Sequence, residues 1–477
     1  MKIHMIGHAS IFVETQDHAI LMDPVLWDPH QEGLFDVCPK REVLHERLPQ
    51  FDFLIISHKH LDHFDIRTLA FLPKTVNVLI PQDELIEKCL RKLGYERIHK
   101  LNDFSEIKAG STRIFTTRSA NPVPEFGIVF ADESGVFWNQ VDTDVRRDTA
   151  DFVLSRFPKI DFLLASWQPM MEFSYQLNQS MAFPYDGYGQ MLDNIRLIKP
   201  AALAPGANAF RYIEGSSWLN RIVFPVTREQ FCRDVDLLRP ELRGNIFQLD
   251  PGDVLSFRGE EFNAQPGASP FVRKIGGDRE ELDFSPVTVG QDLTDEAQQD
   301  VAPEVLREAI YEEVETKLLA FIKDRPSLFT EHYRWKVIYQ LTIVFADGVE
   351  KWSFDFSEAT VQMRRGRNPL ANFHTFMTAS SFYGLLKGTK GWDYAMIGGY
   401  YRRFNKIYAI TNFGLVQPEN ALIQDPLELR FPYRKILDSF LLREVERWQQ
   451  IQEPDAEPSE ALNSTAGFSS ERNSHVL

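Results

Sequence analysis

Four side chains able to bind a metal ion fall within six residues of the segment Ile55-Ile-Ser-His58-Lys-His60-Leu-Asp62-His63-Phe-Asp65. They follow directly on the apolar run Phe53–Ile56, which reads as a buried strand. A polar cluster at the end of a core strand requires a layered fold that opens there, because inside the core those groups would lack partners. His58 and His60 stand two apart in a tight loop, so both rings can converge on one ion. Asp62 and His63 can turn toward a second position nearby. Imidazole and carboxylate together suit zinc, iron or manganese. The alternative, a polar loop with chance histidines, is disfavoured by their density directly behind a strand.

The flanking sequence supplies the layers. Ile3–Ile6, Ile11–Glu14, Ile20–Met22, Val76–Ile80, Ile114–Thr117, Ile128–Ala131, Val136–Val141 and Phe162–Ala165 are short apolar runs that read as strands. Asp83–Leu93 and Tyr188–Ile198 have helical spacing, and Thr227-Arg-Glu-Gln230 is a capping box before Phe231, Val235 and Leu238. Strand meanders with helices outside predict an α/β layered domain over residues 1–258. Turn formers such as Gln265-Pro-Gly-Ala-Ser-Pro270 predict a linker over residues 259–302. A small α+β domain is expected over residues 303–452. It opens with a helix over Pro303–Asp324, and a hairpin follows. Trp335, Val337, Tyr339, Leu341, Ile343 and Phe345 alternate on one strand, Ala346-Asp-Gly348 turns, and Trp352, Phe354 and Phe356 return. Residues 453–477 are rich in Ser, Glu, Pro and Asn and predict a disordered tail.

Composition narrows the function. With 477 residues, 43% hydrophobic and 25% charged, the chain can bury a normal core in two or three domains. A net charge of −16 offers no general attraction to nucleic acid or an anionic membrane. Cys38, Cys89 and Cys232 are sparse and odd in number, which fits a reducing cytoplasm rather than a disulfide framework. No CxxC pair occurs, so a thiolate zinc site is not expected. No signal-peptide core opens the sequence, and no run of 18 apolar residues predicts a membrane span.

The His-x-His-x-Asp-His spacing of His58, His60, Asp62 and His63 resembles the signature of the metallo-β-lactamase fold superfamily. That resemblance implies a four-layer αββα metallo-β-lactamase fold with the small α+β domain appended. It implies that Asp23, in Leu21-Met-Asp-Pro24, holds the histidine loop by hydrogen bonds; a plain turn before Pro24 is the alternative. It also implies a bridging aspartate at a strand end. Asp142 is the better match and Asp144 the rival. The start Ile6-Gly-His8-Ala-Ser10 is similar to branches containing ascorbate-6-phosphate lactonase and the N-acylphosphatidylethanolamine phospholipase D. This puts His8 beside the site, or in a structural hydrogen bond.

Two histidines usual in the superfamily's hydrolases are missing. Between His63 and His332 only His99 occurs, in a segment that reads as surface. The first missing position falls in 118–125 and the last in 204–210, where Asn121, Glu125 and Asn208 are substitutes or turn and supporting residues. The departure points to one branch: the first block resembles the metal domain of the CMP-N-acetylneuraminate hydroxylase family, which also lacks the last of these histidines. Gly7-His8-Ala9, Asp23-Pro24, Asn139-Gln-Val-Asp142 and the segment 204–210 resemble its metal domain, in order. Phe382-Tyr-Gly-Leu-Leu-Lys-Gly388, Trp392–Gly398 and Arg402-Arg403 resemble its C-terminal segment. Its hydroxylases carry an N-terminal Rieske domain with Cys-x-His and Cys-x-x-His ligands, and neither motif is in this sequence.

The leading expectation is therefore a non-haem iron oxygenase or hydroxylase (a monooxygenase-type oxidoreductase) with one or two iron ions, acting on a polar small molecule. Mixed imidazole and carboxylate ligation with open positions is what such chemistry uses. The alternative is a zinc hydrolase of a lactone, phosphoester or amide, with Asp62 orienting a water whose pKa the metal lowers to about 7. A metal-binding protein without catalysis is the third reading. Under each reading the metal ligands are His58, His60, Asp62, His63 and Asp142. Arg402 and Arg403 could bind an anionic group of the substrate, or simply form a solvated face. Expected partners are the small-molecule substrate, a separate electron-donor protein if the chemistry is oxidative, and a second copy if the aromatic sheet forms a homo-oligomer interface.

Overall fold

The apolar runs of the first block divide, residue by residue, between two cores. Ile3, Met5, Ile11, Val13, Ile20, Met22, Phe53 and Ile55 point into a core between two sheets, while Ile6, Phe12, Leu21, Leu54 and Ile56 point to an outer helical layer. Successive strand side chains alternate between faces, so a strand covered on both sides reads as an unbroken apolar run. The computed structural model describes residues 1–276, 282, 284–285, 292–295, 301–412, 414–419 and 423–452.

One sheet has eight strands in the order Glu261–Gln265, Val254–Arg258, Lys2–Gly7, Ser10–Glu14, Ala19–Met22, Phe53–Ile55, Asn77–Pro81 and Ile98–Leu101. The other has six, in the order Ala202–Pro205, Phe162–Ala165, Gly135–Asn139, Ile128–Asp132, Thr112–Thr116 and Glu106–Ala109. Helices Arg147–Arg156, Tyr185–Ile198 and Arg228–Leu238 cover the six-stranded sheet through Val153, Ile195, Phe231 and Val235. Helices Ile66–Phe71 and Glu84–Lys92 cover the eight-stranded one through Leu69, Ile86 and Leu90. This is the four-layer αββα metallo-β-lactamase fold. The predicted cap at Thr227 is present, its side chain accepting from the Gln230 N–H.

The segment expected to be a linker begins as sheet instead. Glu261–Gln265 pairs with Val254–Arg258 at the sheet edge, and Val272–Lys274 pairs with Arg41–Val43. Turn residues there connect strands rather than domains. The expected disordered tail, 453–477, lies outside the described residues.

The second block holds a five-stranded sheet in the order Gln362–Arg365, Gly348–Asp355, Ile338–Phe345, Phe373–Thr378 and Tyr401–Asn405. Tyr339, Leu341, Ile343, Trp352 and Phe354 share one core with Ile310, Val314, Leu318 and Ile322 from the segment predicted as the first helix. That segment is helical throughout, Pro303–Tyr311, Glu312–Leu318 and Leu319–Asp324, with a π-helical middle turn. Trp335 is not in the hairpin strand. It ends the short helix Thr330–Arg334, and Lys336 at φ 50° then turns the chain, so pairing starts at Ile338.

The long helix Tyr433–Gln452 follows this sheet in the chain but covers the first block. Leu437, Phe440, Leu441 and Val445 join the core of Leu69, Leu90 and Tyr95, completing the helical layer over the eight-stranded sheet. Among the described residues no helix is long and apolar enough to cross a membrane.

Candidate metal centre

The metal-capable loop leaves strand Phe53–Ile55 and ends where Asp65 caps helix Ile66–Phe71, accepting from the Thr68 N–H. Asp23 anchors this loop from the end of the neighbouring strand. Its Oδ1 accepts from the Ser57 N–H at 2.7 Å, and its Oδ2 accepts from Ser57 Oγ at 2.6 Å and His63 Nδ1 at 3.0 Å. Ser57 Oγ in turn accepts from His58 Nδ1 at 2.9 Å. The network thus assigns the protons of His58 and His63 to Nδ1 and leaves both Nε2 lone pairs to face a cation.

Those lone pairs converge. His58 Nε2 lies 2.9 Å from His60 Nδ1, and His63 Nε2 lies 2.9 Å from Asp142 Oδ2 and 3.8 Å from Asp62 Oδ2. The donor atoms of His58, His63 and Asp142 lie within 4.8 Å of one another, as do those of His8, Asp62 and His63. His8 Nδ1 accepts from the Asn208 N–H at 3.1 Å, so its Nε2 donates to Asp62 Oδ2 at 2.9 Å. His8 therefore orients Asp62, and Asp23 orients two histidines.

The electrostatics call for positive charge at this point. Burial lowers His58, and the neighbouring His63 and His60 rings lower it further. Burial alone would raise Asp62 and Asp142, but the surrounding imidazoles acting together, His63 first and then His8, hold both carboxyls low. Burial would lower His63, yet Asp142 and Asp62 together raise it well above the ordinary range. Asp142 Oδ1 is buried with no hydrogen-bond partner. An orphaned carboxylate oxygen beside two imidazole lone pairs fits a divalent cation.

The backbone is strained where the site is built. His8 (φ 51°), Asp23 (φ 43°), Val141 (φ 54°) and Asn208 (φ 67°) all occupy the left-handed region. For β-branched Val141 this conformation is costly, and it turns Asp142 out of strand Gly135–Asn139 toward the histidines. The rival Asp144 pairs instead with Arg146 at 2.6 Å and accepts from Gln190 Nε2 at 2.8 Å. The segments lacking histidines still reach the site. Asn121 Nδ2 donates to Glu125 Oε1 at 2.6 Å and to the Asp142 carbonyl at 3.3 Å. Burial lifts Glu125 to about 7, against the hydrogen bonds from Ser119 and Asn121. Asn208 Oδ1 is buried without a partner. His99 is exposed and bonds to Asn77, as a surface residue does.

A cleft of about 650 Å³ opens on the centre, walled by both blocks. His60, Asp62, Glu125, Asp142 and Asn208 line one side, and Asp393, Ile397 and Tyr433 the other. Arg402 and Arg403 are elsewhere. Arg402 stacks over Tyr175 and Trp218, with 5.0 and 5.5 Å to the ring centres, and Arg403 pairs with Glu428 at 3.0 Å. The cleft carboxylates Glu172 and Asp393, and Gln31, carry no local sequence signal; only the packing of the two blocks brings them here.

Residues 2–143 match the beta-lactamase superfamily domain, and every residue of the two donor clusters lies within that span. A putative Rieske 2Fe-2S iron-sulfur protein of Mycobacterium tuberculosis (strain H37Rv) is 27% identical over 187 residues, covering 36% of this chain and 36% of that protein. The chain thus spans about a third of that relative's length. A metal-dependent hydrolase of Staphylococcus aureus (strain MRSA252) is 27% identical over 172 residues, covering 33% of this chain and 69% of that protein. Among solved structures, CmlA, a diiron beta-hydroxylase from Streptomyces venezuelae, is 15% identical, with a TM-score of 0.35 over 56% of this chain and 54% of that one.

Proposed function

We propose that the protein is a non-haem iron oxygenase or hydroxylase acting on a small molecule held in the cleft. The observation that carries this reading is the donor set. His58, His60 and His63 stand among Asp62, Asp142 and Glu125, and Glu125 and Asn208 occupy the two segments that lack the usual histidines. Replacing imidazole by oxygen donors favours iron over zinc and leaves room for substrate. The Rieske-named relatives support the same branch, because proteins so named handle iron and single electrons.

In this reading His58, His60, Asp62, His63 and Asp142 would hold the iron. Iron supplies dioxygen activation when bound. Asp23 and Ser57 fix the imidazole tautomers, and His8 holds Asp62 through Oδ2 and so orients it in the centre. The two electrons that hydroxylation consumes, beyond those of the substrate bond, come from a separate electron-donor protein or a small reductant.

Protein purified without added ions is expected to contain iron, and dioxygen-dependent turnover is expected to vanish in His60→Ala. Full activity in iron-free protein would overturn the reading. The similarity to metal-dependent hydrolases supports a second reading, zinc hydrolysis of a lactone, phosphoester or amide. Cleavage of such substrates restored by zinc alone is its signature.

A further inference from the structure

The cleft that opens on the metal centre is acidic well beyond what the centre uses. Asp62, Glu125, Asp142, Glu172 and Asp393 all line it, and among its described lining residues there is no lysine or arginine. Glu172 and Asp393 belong to neither donor cluster, so they are not explained by the metal. Asp393 sits in the first turn of helix Trp392–Ile397, and its Oδ1 accepts from the Tyr433 hydroxyl at 2.9 Å. Glu172 has no hydrogen-bond partner among the described residues. Burial pushes the Glu172 carboxyl up, and the charges that reach it, from Asp62, Asp142 and Asp393, are all negative, so a cation arriving beside it would draw it into the ionised form. A carboxylate in that position lacks a counter-charge.

Gln31 gives an independent sign of a missing ligand. It is 4% exposed, holds φ 50°, lines the same cleft, and its Oε1 is buried without a partner. The outer cleft therefore presents acceptors that lack donors. Around them the surface is apolar: Phe35, Met170, Met171, Phe173, Met396 and Ile397. A buried acceptor without a donor, as at Gln31, selects a ligand that brings its own hydrogens, and two half-buried carboxylates on one wall select a cation. A metal ion is disfavoured because neither Glu172 nor Asp393 has two further donors beside it.

We propose that the cleft selects a substrate carrying a protonated amine on an apolar body, with the ammonium set against Glu172, Asp393 and the Gln31 amide oxygen and the apolar part against the methionine and phenylalanine wall. This rests on the cleft's being the active site, and it replaces the anionic substrate group expected from Arg402 and Arg403, which lie outside the cleft. An anionic substrate would meet only like charge on this wall.

The test titrates metal-filled protein with two probes of one shape and opposite charge, phenethylamine and 3-phenylpropionate. Zinc-substituted protein is used, so the titration needs no turnover. The amine is expected to bind at least about tenfold more tightly than the acid. Glu172→Gln is expected to weaken the amine about tenfold with zinc content unchanged, and Glu172→Lys to reverse the preference. Equal or tighter binding of the acid by the unmodified protein, or an amine affinity indifferent to Glu172→Gln, overturns the proposal. An amine preference without dioxygen turnover in the iron-loaded protein would remove the oxygenase reading and leave this one standing.

Discussion

Asp425 in the second block and Asp142 in the first are both drawn into polar clusters beneath the surface, but their oxygens fare differently. Asp425 Oδ1 accepts from the Tyr339 hydroxyl at 2.9 Å and the Leu427 N–H at 2.8 Å, and Oδ2 accepts from Tyr401 at 2.8 Å and from Thr375. It caps helix Pro426–Arg430 from an ordinary extended backbone at φ −62°. Asp142 follows the strained Val141 and keeps one buried oxygen without a partner. A carboxylate with every lone pair used ties a helix to a sheet. One left short, in a strained setting facing lone pairs, marks a place where something binds.

Substitutions can break that contrast. His63→Ala is expected to remove metal retention and turnover together while the fold persists, as read by metal analysis and circular dichroism. Asp425→Ala should do the reverse. It strands the Tyr339 and Tyr401 hydroxyls and costs roughly 3–5 kcal/mol in denaturant unfolding, with metal content per folded molecule unchanged. If Asp425→Ala empties the metal site, or His63→Ala unfolds the chain, the two clusters do not divide the work this way.

The second block also carries a buried neutral histidine. Burial pushes His332 down to about 4 from 6.5, against its Nε2 hydrogen bond to the Gln424 carbonyl. Its folded pKa lies below its unfolded one, so the unfolded chain takes up the proton first. Stability is full above pH 6.5, falls as pH drops from 6.5 toward about 4, and loses up to about 3 kcal/mol from this group. His332→Phe should flatten that slope in pH-dependent melts. Asp23→Asn sharpens the contrast from the other side. It loosens the imidazole relay, and metal affinity should fall roughly 10–100-fold in competition with a chelator. Arg402→Ala, outside the cleft, should leave substrate affinity within about twofold.

Much of the architecture was legible along the chain. The buried strand before His58, the alternation of Tyr339, Leu341 and Ile343, and the cap at Thr227 are local patterns, set by side-chain period and by hydrogen bonds spanning three residues. Errors arose where pattern gave no range. Trp335 continues the hairpin's alternation but belongs to a helix end, and Gln265–Pro270 reads as linker although strands flank it.

The sequence by itself determined that His58, His60, Asp62 and His63 would meet at a strand end, since six consecutive residues cannot travel far apart. Only the tertiary structure decided what faces them. Asp142 arrives through the turn at Val141, His8 and Asn208 lock together across 200 positions, and Asp393 and the helix Tyr433–Gln452 come from the far end of the chain. Such meetings depend on two sheets and two blocks burying a shared apolar surface, a many-body balance that no short segment encodes.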